Sequence, residues 1–235
     1  MTSSTNEPHE PSLRTYRSIA KWGIPDFFFS TLEKWERFGI LGVFGDMVLE
    51  SLKGDILEVG VGESSIYLTE LSRKYQRRIY HCDLSAASFI NRLTVPGWLS
   101  EDHTYVEETS DVPAVLNRAV FYAGTSDTFF ARVPLTPLAL AFIDGDHRYE
   151  QVKRDFHNVV PHLVNNGYIL LHDTDPKNEH DVGENRCGTV YRLRQELEQH
   201  PKFDCLTLPQ GCAMDVGLTI ARYRGASYYA DTLRT

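Results

Sequence analysis

Two short runs gather the side chains able to do chemistry. They are Asp144-Gly145-Asp146-His147 and His172-Asp173-Thr174-Asp175, and each follows an apolar stretch. Carboxylates offer hard oxygen ligands that suit magnesium, calcium or manganese. An imidazole is a poorer magnesium ligand and suits manganese, iron or zinc. With an ordinary pKa near ~6.5, a histidine such as His147 can also take a proton from a hydroxyl at neutral pH. The plainer alternative for His147 is packing or capping at the start of the following helix. For His172 it is a structural role.

A second group lies upstream. Glu58-Val59-Gly60-Val61-Gly62-Glu63-Ser64-Ser65 joins an apolar run to an amphipathic one. Gly60 permits a tight turn, Gly62 lets backbone approach a ligand, and Ser64 and Ser65 can cap a helix whose N-terminus faces it. The third glycine of a dinucleotide fingerprint is missing. Asp83 follows about 20 positions on, where an acid suits a ribose diol. Its alternative is a cap for a helix over Ala86 to Asn91. Ala123-Gly124-Thr125-Ser126-Asp127 ends a further apolar run, and its small and hydroxyl residues could flank an adenine ring.

Positioning these groups requires strands that end where they begin. Strand patterns cover Asp55 to Gly60, Arg78 to Leu84, Ala119 to Ala123, Leu138 to Ile143, Tyr168 to Leu171, Phe203 to Leu208 and Val216 to Arg222. Helical patterns cover Ser64 to Tyr75, Glu150 to Val164 and Gly188 to Gln199, with a short helix expected over Val112 to Asn117 in an otherwise irregular acidic segment. Strand–helix alternation predicts a mostly parallel sheet covered on both faces. The last two strands are joined too tightly for a crossover and should pair antiparallel. The expected fold is therefore α/β, a seven-stranded Rossmann-like sheet with an antiparallel terminal strand and helices on both faces. Residues 1–12 read as a disordered tail and 13–52 as an aromatic-rich helical extension or lid. The α/β domain spans 53–225, and 226–235 form a C-terminal tail.

Composition narrows the class. Of 235 residues 42% are hydrophobic and 24% charged, the globular range, and the net charge is -8. That balance disfavours nucleic acid or an anionic membrane as partner. No apolar run reaches the ~18–20 residues of a membrane span, and the polar N-terminus lacks the apolar core of a signal peptide. Cys82, Cys187, Cys205 and Cys212 show no metal-finger spacing and read as reduced thiols of a cytoplasmic protein. No hydrolase elbow, phosphate loop or zinc-protease helix is present.

The E-x-G-x-G-x-S-S loop, Asp83, the Phe121 to Ser126 stretch and the closing strand pair resemble a class I S-adenosylmethionine-dependent methyltransferase. More narrowly, Phe142 to Glu150 and Gly167 to Thr174 resemble the macrocin and mycinamicin type of small-molecule O-methyltransferase. Caffeoyl-CoA and catechol O-methyltransferases are more distant relatives. The resemblance covers roughly residues 54–222.

It implies that Glu58, Gly60, Gly62 and Ser64 line the methionine end of S-adenosylmethionine. Asp83 would hold the ribose and Thr125 or Ser126 lie near the adenine. Asp144 would touch the methionine end or a metal. Asp144 and Asp173, beyond neighbouring strands, would share a cation, Mg2+ or Mn2+, with His147 as general base. Where the sugar-methylating relatives carry glutamate before that aspartate, this chain has His172, which joins Asp144 and Asp173 as a metal candidate. The expected activity is methyl transfer to a hydroxyl of a small molecule, a sugar or natural-product intermediate. An NAD-dependent oxidoreductase and a metal-independent N-methyltransferase are the alternatives, and homo-oligomerisation is left open.

Overall fold

Apolar runs too short to span anything else become the strands of one sheet. The computed structural model describes residues 38–85, 103–183, 186–209 and 216–225. The expected N-terminal tail, most of the helical extension, the Ala86 to Asn91 helix, Cys212 and the C-terminal tail lie outside the described residues. In chain order the elements are α1 (Gly39–Ser51), β1 (Asp55–Val59), α2 (Ser64–Tyr75), β2 (Ile79–Asp83), β3 (His103–Glu107) and β4 (Ala119–Ala123). They continue with α3 (Ser126–Arg132), β5 (Leu138–Ile143), α4 (Tyr149–Val159), β6 (Leu163–His172), α5 (Tyr191–Leu197), β7 (Phe203–Leu208) and β8 (Leu218–Tyr223).

The sheet order is β3-β4-β2-β1-β5-β6-β8-β7. Strands β3 to β6 pair in parallel, and β8 runs antiparallel between β6 and β7. All six side chains of β5 are buried, as its unbroken apolar text requires for a central strand covered on both faces. Each fully buried Leu or Ile there contributes about 1.5–3 kcal/mol. Register sets the functional edge. Val59 lies opposite Cys82 on one side and Ile143 on the other, and Ile143 lies opposite Leu171. The residues just beyond, Gly60, Asp83, Asp144 and His172, therefore share one end of the sheet.

The strand count is eight rather than seven. β3 occupies the segment expected to be irregular; Thr104 and Val106 face inward while Tyr105 and Glu107 face out. One buried residue in two, flanked by charge, is a weak strand signal. The helix expected over Val112 to Asn117 is absent. Asn117 instead ties this stretch to β3, its backbone N–H donating to Thr104 Oγ1 at 2.8 Å and its Nδ2 to the His103 carbonyl at 2.7 Å.

α3 replaces what read as a ligand loop, because Thr125 caps it through the Thr128 N–H. α4 stops at Val159, before Pro161, and β6 begins earlier than expected, at Leu163. Among the described residues no helix is long and apolar enough to cross a membrane.

Candidate active site

The turn after β1 is possible only with glycine. Gly60 has φ 89°, and a Cβ there would lie 2.1 Å from the Asp144 carbonyl oxygen. This close approach of the β1 and β5 ends leaves a cavity of about 430 Å3 over the sheet edge, walled by Gly60, Asp83, Ser126, Asp144, Gln151 and Asp155 among others. A ligand site there agrees with the rule for open α/β sheets. Asp83 closes the loop from the neighbouring strand. Its Oδ2 accepts the Val61 N–H at 2.9 Å and its Oδ1 the Ser85 N–H at 2.8 Å. One further lone pair per oxygen is left for a diol.

Thr125 also lines the cavity, but its hydroxyl accepts from Thr128 N–H and donates to Glu108 at 3.2 Å. Ser126 faces Gln151, whose Nε2 donates to Ser126 Oγ and to Asp155 Oδ1, both at 3.1 Å. Asp155, unmarked by any sequence motif, is buried in the cavity wall, and burial pushes its carboxyl above the ordinary range.

Glu58, Gly62 and Ser64 are not among the lining residues. Strand alternation sends Glu58 to the sheet face opposite Leu57 and Val59, where its carboxylate is fully buried. It accepts from Ser64 Oγ at 2.5 Å and Ser65 Oγ at 2.7 Å, and pairs with His81 Nδ1 at 2.5 Å. His81 is its register neighbour on β2. Glu58 thus pins the first turn of α2 to the sheet beneath the loop. Gly62 donates its N–H to Ser65 Oγ at 3.2 Å.

Beyond β5 and β6 the structure gathers four of the expected groups. His172 Nδ1 lies 2.9 Å from Asp144 Oδ1 and 3.2 Å from Asp173 Oδ1. His147 Nε2 lies 3.5 Å from Asp144 and its Nδ1 3.6 Å from Asp173. The turn before α5 clamps His147. Its Nδ1–H donates to the Arg186 carbonyl, its own carbonyl accepts the Thr189 N–H at 2.8 Å, and Gly188 (φ 51°) packs against its backbone. A carbonyl only accepts, so Nδ1 carries a proton in either charge state and Nε2 is the nitrogen that titrates.

Asp144 beside it raises the His147 pKa to about 8 against the cost of burial. For His172, burial disfavours the charge, yet Asp144 and Asp173 outweigh it and raise the pKa to about 10. Burial would lift the Asp144 carboxyl, but the two imidazoles more than reverse that and hold it low. Asp146 and Asp175 stand apart, held by Arg148 and Arg194.

The donor set fits a cation. Asp144, His147 and Asp173 each offer a ligand atom within 4.8 Å of the others. His172 Nδ1 is fully buried and, though close to both acids, makes no hydrogen bond. Phe38, at the head of α1, stacks on the His172 ring (centroids 5.6 Å, 27°), and Phe142 meets it edge-on. Phe38 carried no sequence signal beyond its aromatic neighbourhood.

A family model described as a methyltransferase domain matches residues 57–174. No curated protein matches the chain in sequence. Solved structures do match in fold. The O-methyltransferase TomG from Streptomyces achromogenes, in complex with SAM, is 18% identical, with 79% of this chain and 78% of that one covered and a TM-score of 0.54. A cofactor-bound protein from MTB is 16% identical, covering 93% and 99%, with a TM-score of 0.62. An O-methyltransferase from Bacillus cereus in complex with SAH is 16% identical, covering 89% of each chain, with a TM-score of 0.53. At such identities the likeness is one of fold.

Proposed function

This chain belongs to the methyltransferase-domain family, and from that premise we propose that it moves a methyl group from S-adenosylmethionine to a hydroxyl of a small molecule, a sugar or natural-product intermediate. One observation carries the reading. A single cavity is lined by Asp83, Ser126 and Asp144, and Asp144 in turn meets His147 and His172 beyond the lining. A cofactor with ribose on Asp83 and base beside Ser126 would point its reacting end toward that cluster. The fold-level neighbours solved with SAM or SAH support the same cofactor.

Methyl transfer is a displacement in which the sulfonium charge disappears. The protein must align nucleophile and methyl, take a proton and exclude water. Asp83 accepts the two ribose hydroxyls on its free lone pairs, and Gly60, which lets the β1 turn pass against the Asp144 backbone, lines the cavity where the methionyl end would lie. Above about pH 8, where Nε2 has lost its proton, His147 takes the acceptor's proton there, while the Arg186 carbonyl keeps the proton on Nδ1 and Asp144 stabilises the imidazolium that results. A divalent cation, when held by Asp144, Asp173 and His172, would supply Lewis-acid polarisation of the acceptor hydroxyl.

The test is a binding comparison by thermal shift. S-Adenosylhomocysteine at a hundredfold excess over Kd should stabilise the protein by about 2.7 kcal/mol. NAD should not. Equal stabilisation by NAD would favour an oxidoreductase and overturn the proposal.

A further inference from the structure

The cation site departs from an all-oxygen one in a way that bears on which ion it takes. We infer that His172, acting with Asp144 and Asp173, makes this site select a transition cation such as Mn2+ or Co2+ over Mg2+. The inference rests on the proposed function only in placing a cation at this edge of the sheet.

Three observations carry it. The first is spacing. His172 Nδ1 stands 2.9 and 3.2 Å from one oxygen of each acid. Two ligands bonded at right angles to one cation, at about 2.1 Å each, stand about 3 Å apart. The second is the missing hydrogen bond. The buried ring nitrogen stands close to two carboxylates but is aligned for a hydrogen bond with neither, the arrangement expected of ligand atoms directed at a common cation. The third is restraint. Phe38 stacked on one face and Phe142 against the ring hold the plane of the imidazole toward the two acids. Magnesium binds oxygen, keeps its waters and takes imidazole poorly, whereas manganese, cobalt and zinc accept it. His147 is the rival nitrogen ligand, since Asp144, His147 and Asp173 also lie within reach of one cation, and the measurement on His147→Ala tells the two imidazoles apart.

The competing account makes His172 itself the cation, an imidazolium lodged between two acids, in which case the site takes no metal. Metal binding to the full chain, saturated with S-adenosylhomocysteine, separates the two. Each metal salt alone is titrated against a chromogenic chelator at fixed pH. Mn2+ should bind at least about 100-fold more tightly than Mg2+, and His172→Glu should shrink that ratio at least about tenfold while S-adenosylhomocysteine affinity stays put. A ratio unchanged in His172→Glu, or no cation bound by the unmodified chain, overturns the inference.

Should His172→Glu fail to fold, electron spin-echo modulation of Mn2+ in the unmodified chain should show a directly bound nitrogen. That coupling should persist in His147→Ala. Its absence in either protein also overturns the inference. Loss of S-adenosylhomocysteine binding in the unmodified chain would instead strike the methyltransferase reading.

Discussion

Asp83 uses the same two oxygens to hold the glycine loop and to face the cavity, so its removal should cost binding more than folding. Asp83→Ala should weaken S-adenosylhomocysteine by about 1–3 kcal/mol, the worth of charge-assisted hydrogen bonds, as read by calorimetry. Unchanged affinity would reduce Asp83 to a loop tie. His147 is the opposite case. It is not among the residues that line the cavity, and a backbone carbonyl holds the proton on its Nδ1. His147→Ala should keep S-adenosylhomocysteine affinity and lower kcat by roughly 10²–10⁴-fold once an acceptor is in hand, the usual span for a general base. A variant retaining full kcat would show that another group takes the proton.

Between elements, the buried Glu58 carboxylate is the joint. It connects β1 to the first turn of α2 through Ser64 and Ser65 and to β2 through His81, with Phe121 stacked flat on the His81 ring at 4.9 Å. Removing one member of a buried pair costs about 3–5 kcal/mol, because its partners lose their acceptor in a place water does not reach. Glu58→Ala should therefore lower the urea midpoint by that equivalent with an unchanged m-value. A loss under about 1 kcal/mol would mean that water or a shifted side chain satisfies the partners. The acid of this loop was legible in the sequence, but its task was not. A residue in an E-x-G-x-G run can face the ligand or the sheet beneath it, and only the register of β1 against β2 decides.

Across the whole molecule, stability should carry the mark of Asp155. Burial, helped by the nearby Asp127 charge, outweighs the hydrogen bonds from Ser126 and Gln151 and the pull of Arg154 and raises its folded-state pKa above the unfolded value. The folded state then holds the proton more tightly, so stability is greatest below the unfolded pKa and declines as pH rises through the folded one. Asp155→Asn keeps an oxygen for Gln151 and removes the charge. Its melting temperature should exceed the parent's at pH 7, and the difference should fade toward pH 4. A variant no more stable than the parent at pH 7 would refute this.

By itself the sequence determined the parallel sheet, the antiparallel closing pair, the glycine turn and the arrival of Asp83, Asp144, His147, His172 and Asp173 at one edge. Those features follow from apolar periodicity and from residues at strand ends, which are local. Only the tertiary structure decided that Glu58 lies beneath the loop, that Thr125 caps a helix, that β3 completes an eighth strand and that Phe38 holds His172. Each of these depends on which residues register and packing bring together from distant parts of the chain, and side-chain type and spacing carry no record of that.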